Sequence, residues 1–196
     1  MRQLLLVSTI VFLCGIRAGA VLAADQAEGQ QQKESPWIAR EVELQKLISQ
    51  VAKETKLKFL VHQMSPRLVV VGDIGDAKVT YPVLLAILRN NEMAAIRKDG
   101  IVNIIPDHLV RSFPLPVIDK PDPSILGDEW VTRVIGLQNY DNGTFLVAAL
   151  RPLMPQSAHL VWIAGERKLL LADRYANTQR LAQIIEDIER SAAIKE

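Results

Sequence analysis

The stretch from Val131 to Glu189 constrains the fold most, because several changes of hydrophobic period follow one another there with little chain between them. Val131-Thr132-Arg133-Val134-Ile135 has the composition of a strand, and Asp141-Asn142-Gly143 is a turn. A short amphipathic helix is expected over Thr144 to Arg151, stopped at Pro152. Two apolar runs, Leu160 to Ala164 and Leu169 to Ala172, flank the polar Gly165-Glu166-Arg167-Lys168. Asn177 to Glu189 closes the unit as a helix whose Leu181, Ile184, Ile185 and Ile188 fall on one face. The order β-α-β-β-α describes a small sheet with two helices on one side. Nothing in it has the pattern of a catalytic centre; it reads as a docking module.

The half before it has its own set of elements. Trp37 and Ile38 mark a first strand, and Glu41 to Thr55 reads as a helix with Leu44, Leu47, Ile48, Val51 and Ala52 as its stripe. Phe59 to Val61 and Leu68 to Val71 read as strands on either side of Ser65-Pro66. Thr80 is a helix cap with Pro82 in the first turn; Tyr81, Leu84, Leu85 and Leu88 form the buried side, and Asn90-Asn91 ends it. Met93 to Arg97 and Ile101 to Ile105 flank Asp99-Gly100, a hairpin turn signal. Between Pro106 and Gly127 stand Pro114, Pro116, Pro121 and Pro123, the signature of a stiff, extended linker. The expected division is a flexible terminus at 24–34, a first domain at 35–106, a linker at 107–127, a second domain at 128–190 and a tail at 191–196. Each domain, of roughly 75 and roughly 65 residues, lies near the lower end of independent stability. The two halves do not match as a repeat.

The chain opens with Arg2 and an apolar run, Leu4 to Ile16, shorter than the ~20 residues that span a bilayer and interrupted at Arg17. Val21-Leu22-Ala23 gives compact groups at the positions a signal peptidase reads, so residues 1–23 are expected to be a signal peptide cut between Ala23 and Ala24. An uncleaved anchor is the alternative. Cys14, the single cysteine, lies inside that segment after Leu13, so neither a disulfide nor thiolate ligation is expected in the mature chain. The signal carries two of the 23 basic residues and none of the 22 acidic ones, leaving 21 against 22, a net charge of −1. Such a surface has no field to draw nucleic acid or anionic lipid; protein partners are expected.

Chemical motifs are sparse. His62, His108 and His159 have no second ligand at metal-binding spacing. Asp73 and Asp76, in Gly72-Asp73-Ile74-Gly75-Asp76, are accounted for by turn chemistry, and the same Gly-x-x-Gly is too acidic to clamp phosphate. No nucleophile elbow, dinucleotide fingerprint or phosphate loop occurs, so no catalytic residue, cofactor or metal ligand is assigned. Asn142-Gly143-Thr144 is explained by a helix start. Trp130 and Trp162 are the candidate interface residues, since tryptophan is enriched at hot spots; core packing is the competing role for both.

Glu129-Trp130-Val131-Thr132-Arg133-Val134-Ile135-Gly136-Leu137-Gln138-Asn139 resembles the opening of the short repeated domain of bacterial secretins. Leu150-Arg151-Pro152-Leu153 resembles the end of its first helix. Leu169 to Arg174, with Asn177 and Arg180 to Ile185, is similar to its last strand and helix. The first half is similar, through Leu44 to Phe59, Val79 to Leu88 and Gly100 to Pro106, to the N-terminal module that secretins share with TonB-dependent receptors. The linker leading into Gly127-Asp128-Glu129 resembles that of type II secretion secretins. The resemblance implies an α+β chain with two small periplasmic domains. The first is a secretin/TonB short N-terminal, signalling-domain-like fold, and the second a KH-like secretin repeat of the kind in short NolW-like proteins.

It also implies a non-enzymatic role at the periplasmic ring of an outer-membrane secretin, type II-like or a split type III secretin. The implied partners are a full-length secretin or its separate channel half, the inner-membrane clamp protein, secreted proteins, and further copies in a ring. Two departures stand out: Gly136 occupies a position where proline is usual, and the chain stops at Glu196, so it is expected not to form the channel by itself. The alternative is a stand-alone periplasmic module that recognises an inner-membrane protein.

Overall fold

The computed structural model describes residues 39–72 and 78–194, which fall in one unit, Pro36–Glu196. The chain begins with β1 (Arg40–Glu43), α1 (Leu44–Thr55), β2 (Lys58–Val61), β3 (Leu68–Val71), α2 (Tyr81–Asn90), β4 (Met93–Lys98) and β5 (Ile101–Pro106). β1 and β3 pair antiparallel as one sheet, and β2-β5-β4 form a second, with β2 parallel to β5. One core draws on both helices and one face of each sheet. Leu44, Leu47, Ile48 and Val51 meet Tyr81, Leu84, Leu85 and Leu88, closed by Val69 and Val71 on one side and Met93, Ala95, Val102 and Ile104 on the other.

The apolar stripes of α1 and α2 are the ones the periodicity predicts, but α1 starts at Leu44, not Glu41. Residues 41–43 belong to β1, where Val42 faces the core beside Val69 and the carboxylates of Glu41 and Glu43 stay in water. Pairing with a distant strand overrides a locally acceptable first turn. The first strand expected at Trp37 and Ile38 lies outside the described residues. The β4–β5 hairpin is as tight as its sequence predicts. Lys98 faces Ile101 across a two-residue loop, with Asp99 at φ 52° and Gly100 at φ 76°, the positive pair that such a turn demands.

The second lobe comprises β6 (Val117–Ile118), β7 (Trp130–Gly136), α3 (Gly143–Leu150), β8 (His159–Ile163), β9 (Lys168–Arg174) and α4 (Tyr175–Ala193). Its sheet runs β6-β7-β9-β8. Leu160, Leu169 and Leu171 pack under Leu146, Leu150, Leu181 and Ile185 from the two helices, realising the β-α-β-β-α order. The Asn142 carboxamide accepts the Phe145 N–H at 3.0 Å, so α3 starts at Gly143. Glycine is needed there because a Cβ would fall on the Trp162 ring. α4 starts two residues before Asn177, because the Tyr175 and Ala176 N–H groups donate to the Glu129 and Gly127 carbonyls at 2.8 and 2.9 Å.

The proline-rich segment is less extended than its composition suggests. Asp107–Ser112 is a 3-10 helix, and the Thr132 N–H donates to the Pro116 carbonyl at 2.8 Å as β6 joins β7. Prolines bar regular helix but not burial: Val110 is buried, and Leu109, Phe113 and Leu115 pack with Ala94, Ile96, Ile105 and Trp130. No helix among the described residues is long and apolar enough to cross a membrane.

Candidate docking surfaces and the lobe junction

The two lobes meet through a polar cluster built on Glu129. Its backbone forms a parallel bridge with Ala95 of β4, which brings its carboxylate over the first lobe. The carboxylate is almost fully buried. It accepts from Arg97 Nε at 2.7 Å, Arg97 Nη2 at 3.2 Å, Tyr81 Oη at 2.8 Å and the Leu126 N–H at 3.1 Å. Burial, reinforced by the neighbouring carboxylate, pushes the Tyr81 phenol far above its ordinary range, so it stays a donor.

A second cluster lies on the other side of the same strand end. Arg174 grips Asp107 with one nitrogen at 3.1 and 2.8 Å, reaches the Met93 carbonyl at 3.4 Å and stacks 5.0 Å from the centre of the Trp130 ring. Asp173 accepts the Arg174 N–H and the Asn177 amide, each at 2.6 Å; burial nonetheless raises its pKa. A cleft of about 700 Å³ opens between the lobes, lined by Glu92, Asp107, His108, Arg111, Arg151 and Gln156. Both guanidinium groups in it donate to backbone carbonyls: Arg111 to Gln156 and Ala158, Arg151 to Pro155 and Gln156. They brace the loop after α3.

Trp130 is fully buried in this junction, so its ring is spent inside the chain and presents no face to a partner. Among the described residues its indole N–H has no acceptor. Trp162 is half-buried against the second core and the start of α3. Ala23, Ala24, Asp73 and Asp76 lie outside the described residues. His62 accepts the Met64 N–H at 3.2 Å and meets Phe113 edge-on, His108 lines the cleft, and His159 is exposed on β8. The three are in separate places.

Two surface features leave no periodic trace in the sequence. The Asn91 carboxamide bonds both the N–H and the carbonyl of Val70, at 2.8 and 2.9 Å, filling the outer edge of β3 as a strand would. On β2 and in the loop after it, Leu60, Val61 and Met64 are 57%, 41% and 59% exposed.

Two helices held between a two-stranded and a three-stranded sheet, followed by a β-α-β-β-α unit, is the fold of the N-terminal domains of bacterial secretins. Its parallel is the Klebsiella pneumoniae type II secretion system outer-membrane complex of PulD, PulS and the PulC HR domain. That chain matches with a TM-score of 0.61 and 22% identity over 77% of this chain and 26% of its own. Secretin XcpQ of Pseudomonas aeruginosa is 21% identical over 166 residues, 83% of this chain and 24% of XcpQ. The crystal structure of the N-terminal domain of XcpQ from Pseudomonas aeruginosa aligns over 78% of this chain and 64% of its own, with 21% identity and a TM-score of 0.30. No protein-family model matches the chain. The chain is similar to a component of a protein-secretion apparatus and spans about a quarter of the length of XcpQ and PulD.

Proposed function

We propose that this chain is a non-enzymatic periplasmic component of a protein-secretion apparatus, one that forms or docks onto the periplasmic ring of an outer-membrane secretin. The observation that carries the reading is the likeness to the PulD chain, which runs through both lobes. That chain stands in a complex with PulS and the PulC HR domain, and another secretin structure is a complex of GspC with GspD. By analogy, the partners of this chain are a secretin, or further copies of itself in a ring, and the inner-membrane clamp protein. Export follows from a signal peptide at 1–23 cut between Ala23 and Ala24, with domains at 35–106 and 128–190. The sheet edges and exposed apolar side chains are suited to such contacts, because assembly through strand edges needs no catalytic geometry.

In-cell crosslinking of the tagged chain, followed by identification of what co-purifies from the envelope, tests the reading. Recovery of a secretin or its inner-membrane clamp is expected. Recovery of the chain alone, as a soluble periplasmic monomer, overturns it in favour of a stand-alone module.

A further inference from the structure

The edges of the three sheets are not equally available. β4 is closed by the bridge from Ala95 to Glu129, and β3 by the Asn91 carboxamide. β1 carries exposed Arg40, Glu41 and Glu43, a charged edge of the kind that resists pairing. β6 has two residues, and β8 keeps Leu160 buried with Val161 and Trp162 half-buried, leaving Ile163 as its one exposed apolar side chain. β2 is the end strand of its sheet, and its exposed apolar residues continue into the loop at Met64.

Its backbone is set for a partner. The Lys58 and His62 N–H groups donate inward, to the Gly100 and Ile104 carbonyls at 3.2 and 2.9 Å. The alternate residues, Phe59 and Val61, therefore turn their N–H and C=O groups to the open side. One end of this edge is basic. Lys56 and Lys58 are exposed, and Lys98 shares the cross-strand row of Lys58 through Ile101. Asp99, in the adjoining turn, leaves that end net positive. Among the described residues no carboxylate forms an ion pair with any of the three lysines.

We infer that β2 is a strand-addition site for an extended segment of another protein whose side chains alternate between apolar and acidic. Backbone bonds to Phe59 and Val61 hold the segment; because side chains alternate across a strand, its apolar side chains cover Val61 on one face and its carboxylates meet Lys58 on the face of Leu60, at the end where Lys56 also lies. The inference deepens the docking reading and rests on it, but it is tested without a secretin.

The probes are two blocked hexapeptides, acetyl-EVTVEV-amide and acetyl-KVTVKV-amide, titrated into the isotope-labelled mature chain. Amide exchange is followed residue by residue. The acidic peptide is expected to slow exchange at Phe59 and Val61, and to bind about five- to tenfold more tightly than the basic one, an advantage that falls with salt. Val61→Pro removes an outward N–H that the chain's own sheet does not use, so binding is lost while the unfolding midpoint holds. The double variant Lys56→Glu, Lys58→Glu keeps the edge and is expected to reverse the preference, which serves should the proline variant misfold. Unchanged exchange at both amides, or a preference that does not reverse, overturns the inference even if crosslinking recovers a secretin. Slowed exchange with reversal upholds it even if crosslinking recovers none.

Discussion

Replacing Glu129 by glutamine removes one charge from the junction with almost no change of shape. The Arg97–Glu129 contact is 2.7 Å, and the two side chains are 30% and 3% exposed. At the effective dielectric that suits protein sites, unit charges about 4 Å apart attract by about 4 kcal/mol. Arg97 is partly solvated and also donates to the Ser124 carbonyl, so roughly half of that is recovered when its partner goes. The amide oxygen still accepts from Tyr81, but the amide nitrogen faces a guanidinium donor or the Leu126 N–H. The expected loss is about 2–3 kcal/mol, below the ~3–5 kcal/mol of a fully buried broken pair. For a chain of this size that lowers Tm by about 5–10 °C. Urea unfolding followed by tryptophan fluorescence measures it, because fully buried Trp130 adjoins Glu129 and reports on the junction. A loss under about 0.5 kcal/mol would show that the cluster is not what joins the lobes.

Gly143→Ala drives a methyl into the Trp162 ring and is expected to cost about 1–3 kcal/mol, with a changed tryptophan emission spectrum; an unchanged thermal midpoint would count against that packing. Tyr81 has a raised pKa, so its contribution is complete below the ordinary tyrosine range and is lost as the pH rises through and beyond it, by up to ~1.4 kcal/mol per pH unit. Tyr81→Phe should flatten that alkaline limb in unfolding titrations, and an identical limb in the variant would refute the assignment. Burial alone would raise the pKa of Glu189, but the N–H groups of Asn139, Gln138 and Tyr140, with Arg167 beyond, lower it. Its contribution is therefore present at neutral pH and fades as the pH falls through the usual carboxylate range. Glu189→Gln should weaken the wild-type advantage by about 1 kcal/mol at pH 7, measured by urea unfolding, and the two curves should converge in acid.

The helices and the Asp99-Gly100 hairpin were legible because each depends on residues a few positions apart. The stripes of α1 and α2, the β-α-β-β-α order and the positive φ pair all follow from local spacing. β1 was not, because Arg40-Glu41-Val42-Glu43 has one apolar residue and is a strand only through its partner, β3. The junction was hidden for the same reason: Glu129 finds Arg97 and Tyr81 at separations of 32 and 48, and Arg174 finds Asp107 at 67. Single charged residues at such distances leave no periodic trace. Trp130 illustrates the limit of composition, since tryptophan is favoured both at hot spots and in cores, and only the burial of its neighbours separates the two.

Glu129 is followed by the second lobe yet completes the first, and this ties the two ends of the chain's synthesis together. A chain that emerges N-terminus first presents residues 40–106 while the carboxylate that takes the Tyr81 hydroxyl is still absent. Until Glu129 arrives, water takes the place of its carboxylate at that hydroxyl, and the burial seen in the finished fold waits for it. The same residue's carbonyl then accepts the first N–H of α4, so the last helix begins from the point where the first lobe closes. One residue thus closes the first lobe with its side chain and starts the last helix with its carbonyl.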